Sequence, residues 1–205
     1  MKLLSPIYNH EVNIVALDGN KSALVYESAK HDPSNVQVGE SYRLLRDGLL
    51  CQWEAVESQV EVTGYKNEEK APYANSKDML RDIEKSHLWY LKTSDNDAQH
   101  FLSGHPMLQK VTTKSLGEIY LNDLFRIVHD IYGHYVAQSS FSLNGEMLAW
   151  LEHRKMFPKA ALPALWCETR GQASWTNCWG TNPLLPLKDR PFAIQKAAVI
   201  PRQYV

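Results

Sequence analysis

Cysteine is scarce in this chain. Cys51, Cys167 and Cys178 are odd in number and widely spaced, which gives neither a disulfide framework nor a Cys-x-x-Cys metal knuckle. A reducing cytoplasm is therefore the expected compartment. A dominant charge is missing too. The chain carries 22 Lys and Arg against 23 Asp and Glu, with no basic block. Phosphate backbones need a concentrated basic surface, so nucleic acid is not expected as the main partner. No apolar run approaches the ~20 residues of a membrane span. The start, Met1 to Pro6, has one positive charge and two leucines before a proline, which is not a secretory signal. Internal repeats are absent as well, which removes solenoids from consideration. Nothing in the sequence speaks to oligomeric state.

What is present is a globular composition. Hydrophobic residues make up 44% of 205 positions, with six Trp and ten Tyr, enough for one domain with a packed core or an aromatic-lined pocket. Val12 to Leu17 and Lys21 to Ser28 flank Asp18-Gly-Asn and predict a β-hairpin. Residues 41–62 carry Leu45, Leu49, Trp53, Val56 and Val60 near the helical period. Ser76 is a candidate N-cap for a helix to about Lys92. Residues 111–113 suit a short strand. Beyond Asn122 three helices are expected, at about 122–138, 143–157 and 159–178, with Asn122 or Asp123 and Asn144 as caps. Pro183, Pro186, Pro191 and Pro201 predict a tail that wraps over the rest. The expected fold is a single α+β domain over 1–205, mainly helical. A small N-terminal β element (1–40) would pack on helices and loops (41–121) and a three-helix site region (122–180), with the tail at 181–205.

The site region sets polar groups in strongly apolar sequence, where an unpaired buried polar group costs roughly 1–3 kcal/mol. His129 and His134 lie five positions apart, about 140° apart on an ideal helix. They converge only if the helix widens locally so that i and i+5 align, a π-type distortion that Gly133 makes cheaper. Alternatively the helix ends near Gly133 and His134 swings back. Glu168, Gln172 and Trp175 share one face of the third helix, and Glu146, Trp150 and His153 share one face of the second. Arg170 points elsewhere, free to hold Glu146 or a ligand anion. Two His and one Glu would leave open positions on an iron or similar divalent ion. A structural zinc would want a fourth ligand, and Cys167 points away from Glu168.

His129-Asp-Ile-Tyr-Gly-His134 resembles the His-Glu-x-x-Gly-His signature of the aromatic amino acid hydroxylases, with Asp130 where that family has Glu. The resemblance implies His129, His134 and Glu168 as ligands of a non-haem Fe(II). Phe125-Arg-x-Val-His-Asp-x-x-Gly-His134, Asn144-Gly-Glu146 and Glu168-Thr-Arg-Gly-Gln-x-x-Trp175 also resemble an uncharacterised domain of tailed-phage polyvalent proteins. That likeness implies a phage or metagenomic source, hence a host cytoplasm, and no particular activity.

The expectation is a metal-dependent enzyme, with Fe(II), or Zn or another divalent metal, bound by His129, His134 and Glu168. A small or aromatic substrate would be oxidised or hydroxylated. Asp130 and Glu146 would orient ligands or move protons, and Arg170 and Gln172 would fix substrate or steady the ligands. The same residues also suit a metal-dependent hydrolase, a metal-free pocket, or a closed hydrogen-bond network in a non-enzymatic interaction domain.

Overall fold

The computed structural model describes residues 1–66, 70–93, 100–186 and 189–205. The protein is mainly helical, with two short strand pairs. Helix α3 (Val36–Val56) runs through its centre. Asn35 caps it by accepting from the amides of Gln37 and Val38. Its inner face buries Tyr42, Leu45, Leu49, Trp53 and Val56, a run at helical spacing that packs on α5 (Leu121–His129) and α7 (Leu162–Trp166).

The N-terminal hairpin does not form. The segment is instead α1 (Ile14–Leu17) and α2 (Gly19–Ser28). Asp18, expected in a turn, is the N-cap of α2 and accepts from the amides of Asn20 and Lys21. The buried residues of α2 are Ser22, Ala23 and Tyr26. That is a helical face, which packs against α8 (Gln172–Cys178). Ala23 and Ser22 are too small to advertise it in a hydropathy pattern.

Two expected helices are cut short, each yielding its tail to a strand. The central one stops at Val56, and β1 follows at Glu61–Tyr65. Helix α4 (Ser76–Glu84) is capped by Asn75, and Ser86 takes a left-handed φ of 64° to turn into β2 (His87–Leu91). β1 and β2 pair in parallel, Glu61 opposite His87 through Tyr65 opposite Leu91. The expected strand near 111 is β3 (Lys110–Thr113), antiparallel to β4 (Gly117–Tyr120).

The three late helices appear with altered detail. α5 continues without a break into a π-helix at Asp130–Tyr135. Asn122 and Asp123 do not cap α5. They hold Thr93, Asn122 donating to its hydroxyl at 2.8 Å and Asp123 accepting from its amide at 2.7 Å. α6 (Leu143–His153) is capped by Ser142 rather than Asn144. The third runs from α7 through a second π-helix, Cys167–Gly171, into α8. The tail buries Ala193, Ala197, Ala198, Ile200 and Tyr204. No helix among the described residues is long and apolar enough to cross a membrane.

Candidate metal centre

The π-helix after α5 does what the His129/His134 spacing requires. One extra residue in the turn carries His134 round to the side of His129, whose ring centroids stand 5.1 Å apart. Gly133 permits the close fit: a Cβ there would meet His129 Nδ1 at 2.9 Å and the carbonyl oxygen of Ala149 at 3.1 Å. Helix α6 packs on this segment and brings Glu146. Its Oε2 lies 3.4 Å from His134 Nε2. One donor atom from each of His129, His134 and Glu146 lies within 4.8 Å of the other two.

Hydrogen bonds behind the trio fix which nitrogens are free. Gln52 Oε1 faces His153 Nε2 at 2.9 Å, and His153 Nδ1 faces His129 Nδ1 at 3.0 Å. The amide oxygen can only accept, so His153 Nε2 carries the proton and its Nδ1 offers a lone pair. His129 Nδ1 then donates, which leaves the lone pair on His129 Nε2. That nitrogen is buried and has no hydrogen-bond partner among the described residues. Burial, and the neighbouring His134 and His153, hold the His129 pKa well below the ordinary imidazole range. Burial takes His153 down to about 3. On the other arm, His134 Nδ1 bonds Ser139 Oγ at 3.0 Å. Burial disfavours its charged form, but the hydrogen bond and charge of Glu146, with Asp130 behind, outweigh that and raise its pKa. Asp130 lies on the same rim; burial pushes its carboxyl up to about 7, against the pull of His134 and with a further push from Glu146.

Two clefts meet at the trio, and Leu91, Arg126, His129, Phe141 and Glu146 line both. The smaller, about 280 Å³, is walled by Tyr65, Tyr73, Trp89 and Tyr90. The larger, about 580 Å³, reaches across to Glu168 and Gln172.

Glu168 therefore faces the same cleft but stands outside the cluster that the histidines form. Among the described residues, the group that could hold an ion is His129, His134 and Glu146, and the expected Glu168 is not part of it. The reason is local: Glu168 is buried on the second π-helix and already engaged. It accepts from the Tyr42 hydroxyl on Oε1 and from Gln172 Nε2 at 3.1 Å on Oε2, with His105 Nε2 3.5 Å away. Burial pushes its carboxyl up to about 8 against those two hydrogen bonds, which disfavours its charged form. Arg170 is not in the cleft either. It is buried and donates to the carbonyls of Ala16 at 3.2 Å and Leu17 at 2.7 Å, tying the π-helix to α1. It does not hold Glu146. Gln172 does line the cleft, bridging Glu168 and Gln195.

Sequence reasoning left His153 at the margin and gave His105 no role, yet both are buried beside cleft residues. The shared face of Glu146 and His153 was the available signal. Nothing near His105 in the sequence pointed to Glu168. No protein-family model, curated protein or solved structure matches this chain.

Proposed function

We propose that the protein is a metal-dependent enzyme. His129, His134 and Glu146 would hold a divalent cation, and a small aromatic or apolar substrate would be oxidised in the adjoining clefts. The observation that carries this reading is His129 Nε2, a buried lone pair without a partner among the described residues, in a cluster with a second imidazole and a carboxylate. A lone pair so placed suits a cation. Two imidazoles and one carboxylate match the donor set of non-haem Fe(II), which supplies activation of dioxygen at its open positions.

The chain's own groups divide the remaining work. His153 and Gln52 hold the His129 tautomer, and Ser139 orients His134. The aromatic walls of the smaller cleft keep water from the reacting atoms and suit a flat substrate. Glu168 and Gln172 offer hydrogen-bonding groups on the far wall. Asp130 lines the smaller cleft beside the cluster and is a carboxyl placed to take or give a proton.

That last feature favours a second reading, a hydrolase in which Asp130 draws a proton from water beside the same cation. One experiment separates the two. Protein loaded anaerobically with Fe(II) is exposed to nitric oxide as a dioxygen surrogate. The oxidase reading expects a high-spin iron–nitrosyl EPR signal that disappears in His134→Ala. No signal from iron-loaded wild type would contradict it. Turnover of a generic phosphoester without dioxygen, abolished by Asp130→Asn, would select the hydrolase.

A further inference from the structure

Away from these clefts, a separate cavity of about 660 Å³ opens between the N-terminal segment and the end of the chain, and it shares no lining residue with them. Arg154 forms part of its wall. It is only 2% exposed, and its Nε and Nη1 have no hydrogen-bond partner among the described residues. Among the described residues no carboxylate makes an ion pair with it. Glu11 and Val205 line the cavity, yet neither neutralises it. The Trp150 ring, 4.9 Å below the guanidinium, offers a cation–π contact but no acceptor. Exposed Lys159 and Arg202 stand on the same wall.

A buried guanidinium with unused donors is an unusual arrangement, because a charge out of water needs paired acceptors. We infer that this cavity binds the phosphate group of a polar small molecule, with Arg154 as its principal anchor and Lys159 and Arg202 at the rim. A guanidinium in the wall draws a phosphate by its charge. Lys159 and Arg202 add two cations, offset in part by Glu11, and the balance stays positive and favours an anion. The cavity is larger than one anion needs and falls in the range of small-molecule sites. Its amides Asn9 and Gln203 suit hydroxyl groups on the ligand's body. His153 precedes Arg154 in the chain, but its ring faces His129 and Gln52, so this site stands or falls independently of the metal centre.

Calorimetric titration of the full chain with inorganic phosphate, ribose 5-phosphate and acetate tests the inference. Ribose 5-phosphate is expected to bind more tightly than phosphate, and acetate not measurably. Arg154→Met should weaken the phosphate ligands by roughly tenfold or more, and Lys159→Ala with Arg202→Ala by several-fold. Without ligand, Arg154→Met should melt no lower than wild type, because it removes an uncompensated buried charge. At a fixed concentration, ribose 5-phosphate should raise the melting temperature of wild type more than that of either variant. Absence of binding to wild type, unchanged affinity in Arg154→Met, or equal affinity for acetate would overturn the site. Equal affinity for the two phosphates would overturn the claim of a polar body. Should Arg154→Met fail to fold, undiminished affinity in the rim double variant would overturn it instead.

Discussion

Glu168 is already engaged by Tyr42 and Gln172, whereas Glu146 faces His134, and the contrast between the two carboxyls rests on those partners. Burial raises the Glu168 pKa from 4.5 to about 8. Its contribution to stability is fully present below about pH 4.5 and is lost as pH rises through 8. Glu168→Gln cannot ionise, so its stability should fall less than that of wild type between pH 5 and 9. The difference should be at least about 2 kcal/mol, below the ceiling of about 1.4 kcal/mol per pKa unit. Urea denaturation at several pH values measures it, and parallel curves would contradict the assignment. His153 makes a second residue-scale prediction. His153→Leu leaves His129 Nδ1 without its acceptor and should weaken metal binding by about 10–100-fold, as read by chelator competition. The two histidines were legible because their spacing admits only a few geometries. The carboxylate that clusters with them was not. Glu146 and Glu168 both sit on helical faces with aromatic companions, and only tertiary packing shows that Tyr42 and Gln172 already occupy Glu168.

At the scale of elements, the π-helix at Asp130–Tyr135 is the device that makes the cluster. Its existence was inferable from two histidines five apart with a glycine between them. Gly133→Ala would press a methyl group to within 2.9 Å of the His129 ring and 3.1 Å of the Ala149 carbonyl. Either the ring or α6 must shift. The expected result is a loss of about 1–3 kcal/mol of stability together with at least tenfold weaker metal binding, measured by thermal denaturation and chelator competition. A variant indistinguishable from wild type would mean the packing is looser than described. The N-terminal helices were illegible for a different reason. An Asp-Gly-Asn between two apolar runs is a turn signal by local chemistry, but here Asp18 caps a helix whose stability comes from packing on α8. β1 and β2 were hidden because each follows a helix with no break in apolar period until the strand itself.

For the whole molecule, a mainly helical α+β chain was legible from composition and period. The parallel strand pair was not, since its partners are separated by α4 and nothing local marks them as neighbours. Burial of titratable groups also gives the molecule a collective pH response. His105 and His153 are pushed down to about 3 and His129 well below its ordinary range, in each case by burial first. Their contribution is present above about pH 6.5 and is lost as pH falls. Asp130 and Glu168, raised by burial to about 7 and about 8, lose theirs as pH rises. Opposed slopes should give the metal-free protein a stability maximum between about pH 6 and 7. The urea midpoint across pH 4 to 9 checks this, and a plateau from 7 to 9 would contradict it.

The most direct measurement is equilibrium binding of Fe(II) and of Zn(II) to four proteins: wild type, His134→Ala, Glu146→Gln and Glu168→Gln. Wild type and Glu168→Gln should bind one ion with affinities within about threefold, while His134→Ala and Glu146→Gln each lose at least about tenfold. Four equal affinities, or a loss confined to Glu168→Gln, would show that the cation does not sit among His129, His134 and Glu146.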